Sequence, residues 1–97
     1  MQGDLILDRA RMLISLANKP VALTVTEFWL VHALVQYVGH VKTREQLMQA
    51  ANIYVDEDTI SSHIKRIRKK FQVVNADFSA IETVYGLGYR WVTTQKL

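Results

Sequence analysis

The sequence contains no cysteine, which excludes disulfide frameworks, thiolate zinc sites and thiol nucleophiles and fits a reducing, cytoplasmic setting. One proline and four glycines in 97 residues exclude collagen-like and low-complexity architectures. No apolar run approaches the roughly 18 residues that a membrane span requires. The longest apolar-rich stretch, Phe28 to Val38, is interrupted by His32 and Gln36, so no membrane association is expected. The opening Met1-Gln2-Gly3-Asp4 lacks the basic and then apolar segments of a signal peptide. Charge of one sign is also scarce: the net value is +3, only a mild bias towards anionic partners.

What is present suffices for one compact domain. A hydrophobic content of 49% supplies a single core at this length and not two. The reading is one domain over residues 3–93, with no internal repeat. Leu5-Ile6-Leu7, Met12 to Ala17 and Val21-Ala22-Leu23 are short apolar runs. They are separated by Asp8-Arg9-Ala10-Arg11 and by an Asn18-Lys19-Pro20 turn, a pattern that predicts a small antiparallel meander. Thr24-Val25-Thr26-Glu27 is a capping box. The helix it opens is expected to run to about Val38 and to stop at Gly39. Phe28, Val31, Leu34, Val35 and Val38, extended by Leu30 and Tyr37, leave only a narrow polar arc, so this is the central core helix.

A second capping box, Thr43-Arg44-Glu45-Gln46, predicts a short helix, followed by a brief segment Asn52-Ile53-Tyr54-Val55. A longer helix is expected from about Asp56 to Phe71, with a loop from Gln72 to Ala80. Ile81 to Val84 and Tyr89 to Val92 then read as two strands around the tip Tyr85-Gly86-Leu87-Gly88, where glycines supply the backbone freedom of a tight hairpin. The fold class is α+β: a winged helix-turn-helix with an N-terminal antiparallel sheet, three helices and a C-terminal hairpin wing.

Function concentrates on the third helix. At about 100° per residue, Ile60, Ile64, Ile67 and Phe71 fall in one narrow sector, the core stripe. Almost opposite lie Asp58, Thr59, Ser62, Lys65, Arg66 and Lys69. Small hydroxyls at the N-terminal half and cations at the C-terminal half suit a helix that reads base edges and phosphates in a major groove. The basic run from Lys65 to Lys70 alone is equally well explained as a solvated face. The preceding short capped helix, the small Ser and Thr side chains and the glycine-tipped hairpin favour nucleic-acid binding.

These stretches resemble the effector domain of the OmpR/PhoB family of response regulators, and the helix and wing are most similar to its ChvI-like branch. The likeness is carried by Gly3-Asp4-Leu5-Ile6-Leu7-Asp8, Leu23-Thr24-Val25-Thr26-Glu27-Phe28 and Thr43-Arg44-Glu45-Gln46-Leu47. It continues through Asp58 to Lys70 and Ile81 to Trp91. It implies a four-stranded N-terminal sheet, three helices and a wing. It also implies sequence-specific double-stranded DNA binding for transcription control, with the third helix in the major groove and the wing on the adjacent backbone or minor groove. By position Thr59, Ser62 and Arg66 would face bases, while His63, Lys65 and Arg68 would contact phosphates; Lys69 shares the outer face. Thr83 and Tyr89 match wing positions that touch backbone, with Tyr85 at the tip. The projection places Arg68 beside the core stripe, where it could instead snorkel or pair with an acid.

Three departures from the family pattern stand out. Tyr85 replaces an arginine that often enters the minor groove, which predicts weaker readout there. Asp58 stands where arginine is common. The Asn52, Ile53, Tyr54, Val55 segment, which in the family often touches RNA polymerase, is shorter than usual and lacks a frequent Trp-Gly pair. The resemblance further implies tandem direct-repeat sites, a homodimer on DNA, and a receiver domain and sensor kinase in the full system. The receiver has no room in this chain, whose start at Met1-Gln2-Gly3 suits either a piece of a longer regulator or a single-domain relative.

The three histidines, His32, His40 and His63, show no ligand spacing, so no metal or other cofactor is expected. Trp29 reads as a half-covered packing residue. Glu27 and Glu45 belong to capping boxes, and no phosphate loop or catalytic arrangement is present, so an enzyme is not expected. Two alternatives remain: the cytoplasmic DNA-binding head of a membrane-anchored regulator, and a winged-helix protein-interaction module that does not touch DNA.

Overall fold

A computed structural model describes residues 5–92 of the chain. The expected limits at Gly3 and Thr93, and Gly3-Asp4 of the first motif, lie outside the described residues. The element order is β1 (Leu5–Asp8), β2 (Leu13–Leu16), β3 (Lys19–Pro20), α1 (Val25–Gln36), β4 (Lys42–Thr43), α2 (Arg44–Ala51), α3 (Glu57–Val74), β5 (Ile81–Val84) and β6 (Gly88–Trp91). Two antiparallel three-stranded sheets, ordered β1-β2-β3 and β4-β6-β5, flank the three helices. This is the winged-helix architecture expected from the sequence.

The N-terminal sheet departs from expectation in two ways. Ala17 and Asn18 both adopt left-handed backbone, at φ 51° and 65°, which suits a two-residue hairpin turn. The turn therefore closes one step earlier than Asn18-Lys19-Pro20, and Leu16 pairs with Lys19 while Ser15 pairs with Pro20. Pro20 is tolerated because β3 is an edge strand. Val21 donates one last bond to the Ile14 carbonyl at 2.9 Å, after which the chain leaves for α1, so Val21-Ala22-Leu23 is not the third strand. Among the described residues this sheet has three strands instead of the four that the family likeness implied. The short strand β4, which the sequence did not reveal, joins the wing sheet.

Both capping boxes form as predicted. The Thr24 hydroxyl accepts from the Glu27 amide at 3.2 Å and Glu27 Oε1 accepts from the Thr24 amide at 2.9 Å. Thr43 and Gln46 make the matching pair at the start of α2. Helix α1 ends at Gln36, short of Val38, and Gly39 takes φ 85° in the turn that follows. The Gly39 amide bonds the Trp91 carbonyl at 2.8 Å, which ties the end of α1 to the wing. Tyr37 falls past the helix end and is half exposed, not part of the core face.

Leu30, Val31 and Leu34 of α1 pack with Leu47 of α2 and with Ile60, Ile64, Ile67 and Phe71 of α3, and Phe28 of α1 is buried as well. All nine are at most 1% exposed, and burial of each large apolar side chain contributes roughly 1.5–3 kcal/mol. Helix α3 continues past Phe71 to Val74, into the stretch read as loop. Apolar periodicity fades there because Val73 points into solvent, while the backbone bonding continues through Asn75 N–H to the Phe71 carbonyl at 2.9 Å. Phe78, in the remaining loop, stacks on Phe71 at 4.5 Å and meets Trp91 edge-on at 5.6 Å. This aromatic group seats the base of the wing on α3. Trp29 is half-covered, edge-on to Phe28 and to His32.

Candidate nucleic-acid interface

The site is built on α3 and the hairpin β5–β6. Asn52 closes α2 in left-handed backbone at φ 56°, and its amide bonds the Gln49 carbonyl at 3.1 Å. Asp56 then caps α3: its Oδ1 accepts from the Thr59 amide at 2.8 Å and from the Thr59 hydroxyl at 2.7 Å. Those two bonds, side chain first, hold the Asp56 carboxyl below its usual range. The Thr59 hydroxyl proton is thus committed to the cap, and only its lone pairs face outward.

Ser62, Lys65, Arg66 and Lys69 are exposed on the outward face, with Thr59 and His63 half-buried at its margin. Lys65 and Lys69 make no ion pair or hydrogen bond with a described residue. Arg66 Nη2 lies 3.3 Å from His63 Nδ1. Burial pushes the His63 imidazole below its usual value, the Arg66 cation adds to this, and the Glu27 carboxylate opposes it. Asp58 is also exposed, near the N-terminus of the helix.

Other cations of the same run turn inward. The Arg68 guanidinium donates to the Ile81 carbonyl from Nε at 3.2 Å and from Nη2 at 2.9 Å, and Nη2 also reaches the Thr83 hydroxyl at 2.8 Å. Its partners are a carbonyl and a hydroxyl of β5, not the acid that the helical projection allowed. Lys70 Nζ bonds Glu27 Oε1 at 2.6 Å, and Glu27 is only 2% exposed. Burial works to raise the Glu27 carboxyl. The Lys70 hydrogen bond, the Thr24 amide and the Lys70 charge outweigh it and hold the carboxyl below its usual range. This ion pair was not expected from sequence, where Glu27 was read as a cap alone. The signal was there in the projection: Lys70 and His63 flank the core stripe on one side, Arg68 on the other.

On the wing, Tyr85 is 90% exposed at the tip and Leu87 is also exposed. Thr83 is half-buried against Arg68. Tyr89 is only 4% exposed. Its hydroxyl lies 3.1 Å from Ser61 Oγ, and the Arg44 and Arg68 guanidiniums lie over its ring at 5.7 and 5.9 Å from the centroid. Arg44, in the first turn of α2, was not singled out from the sequence. Gly88 pairs with Thr43 of β4, and a Cβ there would collide with the Lys42 carbonyl oxygen. Glycine is therefore required for the wing to lie against the start of α2. In the segment between α2 and α3, Ile53 and Val55 pack on the core, whereas Asn52 and Tyr54 are exposed.

Among the described residues no helix is long and apolar enough to cross a membrane, and no three His, Asp or Glu side chains gather as metal ligands.

A short capped helix, a tight turn, a longer helix with a basic outer face and a glycine-dependent hairpin define a winged helix-turn-helix of the response-regulator output type. The family described as "Transcriptional regulatory protein, C terminal" matches residues 18–91, and the chain belongs to it. This is a family of transcription regulators, not of enzymes. The chain is 40% identical over 95 residues to the transcriptional regulatory protein BaeR of Escherichia coli O6:H1, covering 93% of this chain and 39% of that protein. It is 35% identical over 96 residues to the phosphate regulon regulator PhoB of Escherichia coli K12, covering 96% and 41%. The chain thus spans about two fifths of these relatives. Among solved structures, the DNA-binding domain of the response regulator AdeR, in complex with an intercistronic region, superposes with a TM-score of 0.87 at 26% identity. That match covers 96% of this chain and 98% of the other.

Proposed function

We propose that the chain reads double-stranded DNA sequence-specifically as the output domain of a two-component response regulator. Helix α3 enters the major groove and the β5–β6 wing lies along the adjacent backbone. The observation that carries this reading is the division of α3. Its apolar stripe is fully buried, while Ser62, Lys65, Arg66 and Lys69 form an exposed face beside the wing. Small hydroxyls allow close approach of the backbone, Arg66 has the fork geometry for a guanine edge, and the lysines suit phosphates. Thr59 supports base contact as an acceptor, and His63 supports phosphate contact through its remaining ring nitrogen.

The inward partners of Arg68 and the burial of Tyr89 favour a different task for these two. They hold the wing at a fixed angle to α3, with Thr83 and the free edge of the guanidinium left for backbone contact. Tyr85 carries no cation, so the wing tip contributes little to minor-groove discrimination. Head-to-tail pairing on tandem direct repeats, a receiver domain under a sensor kinase, and a polymerase contact through Asn52 and Tyr54 complete the proposal.

Selection of bound duplexes from a random pool at near-physiological salt tests it. Two short direct repeats about one helical turn apart are expected. A single enriched half-site would confine pairing to the longer regulator, and no enrichment by folded protein would overturn DNA reading.

A further inference from the structure

The pair formed by His63 and Arg66 carries a consequence for how a base would be read. Arginine has five N–H donors and no acceptor, so Arg66 Nη2 can bond the imidazole only where Nδ1 keeps its lone pair. That places the proton of a neutral His63 on Nε2. A second proton would occupy Nδ1, remove the bond and set two cations against each other. The charged groups facing His63 are Arg66 on its own helix and Glu27 at the start of α1. Glu27 is itself held by Lys70 and by the Thr24 amide.

We propose that His63 is a positioning residue for Arg66: its neutral ring holds the guanidinium in one orientation on the outward face, so that base discrimination depends on the protonation of His63. This rests on the DNA-reading function proposed above. Protonation does two opposite things at such a surface. It adds a positive charge that strengthens binding to any duplex through phosphates, and it releases Arg66 to sample orientations that read no particular base. General affinity and discrimination therefore move in opposite directions with pH. A merely structural histidine would alter stability and leave the ratio of affinities untouched.

The test uses the whole chain, its selected duplex and a duplex changed at the base pair whose discrimination Arg66→Ala abolishes. The affinity ratio is measured near pH 8 and near pH 5, the acid arm set well below the ordinary imidazole value because His63 is held under it, with folding checked by thermal unfolding at both. For the native chain the ratio is expected to fall several-fold on acidification while binding to the altered duplex tightens. His63→Asn keeps an acceptor at the δ position without titrating, so its ratio should stay high at both pH values. His63→Lys supplies a permanent cation, so its ratio should stay low at both. A native ratio that does not change with pH, or an Asn variant that changes as the native chain does, overturns the proposal. No DNA binding by folded chain at either pH instead overturns the DNA-reading function itself.

Discussion

Five cations fall in one short run of α3, and the fold gives them two fates. On the outward face Lys65 and Lys69 make no ion pair or hydrogen bond with a described residue, and among the described residues Arg66 bonds only His63. On the flanks Arg68 and Lys70 are bonded to β5 and to α1. Charge counted along the sequence treats all five alike. Position around the helix separates them: residues beside a fully buried stripe meet neighbouring elements, and residues opposite it meet solvent. The inward cations thus shape the interface indirectly, one by fixing α1 against α3 and the other by fixing the wing, while the outward ones are left for a ligand.

The largest expected effect lies on the inward side. Lys70→Met leaves the Glu27 carboxylate buried without its cation, which should cost about 3 kcal/mol of stability in urea unfolding. The partial exposure of Lys70 places it at the low end for such pairs. Lys65→Met, the matched change on the outer face, should stay within about 0.5 kcal/mol. Equal losses from the two would erase the contrast between the faces.

Arg68→Met comes next. It removes three charge-assisted bonds to Ile81 and Thr83, at about 2 kcal/mol of stability. It should also speed hydrogen exchange in β5 before the core of α1. Unchanged wing protection would show that the Phe71, Phe78 and Trp91 cluster holds the wing unaided.

On the outward side stability should be indifferent and binding should respond. Arg66→Ala is expected to lose about 1–3 kcal/mol of DNA affinity and to relax preference at one base position. Lys65→Ala should weaken all duplexes alike and lower the salt slope by about one unit. Identical profiles from the two titrations would mean that the face binds as undifferentiated charge.

Much of this division was readable in the sequence. The stripe Ile60, Ile64, Ile67, Phe71 and both capping boxes rest on local rules, periodicity and reciprocal hydrogen bonds, which the surrounding fold did not override. What escaped depends on contacts between distant segments. Lys70 meets Glu27 across 43 positions of chain, and β4 exists only because Gly88 lets Lys42 and Thr43 approach. The β2–β3 turn was misplaced for a local reason: Ala17 in left-handed backbone is unusual for a residue with a Cβ, and Pro20 looked like the stronger turn signal. The end of α3 was lost because Val73 is an apolar residue on a solvent-facing position. Arg68 lay in between. Its angle beside the stripe was visible, but the carbonyl it meets was not.

The smallest effect is a pH dependence, and it links the two faces. Glu27, Asp56, His32 and His63 are all held below their ordinary values of 4.5, 3.8, 6.5 and 6.5. An unfolded chain therefore binds more protons than the folded one wherever these groups titrate, and stability falls as pH falls. Their contribution is complete above the histidine value of 6.5. It should begin to decline as acidification carries the medium from there through the lower folded values of His32 and His63. A second decline should start below the ordinary carboxyl values, as Glu27 and then Asp56 are titrated. Urea midpoints measured across this range should show that order, and His63→Gln should diminish the first step while leaving the second. A midpoint that rises on acidification below neutrality would contradict the sign. DNA affinity should run the other way in the first window, because a phosphate beside His63 favours the protonated ring and binding then takes up a proton. The same ring would thus weaken the fold and tighten the complex over one interval of pH, with the bound duplex offsetting the stability that the free domain loses.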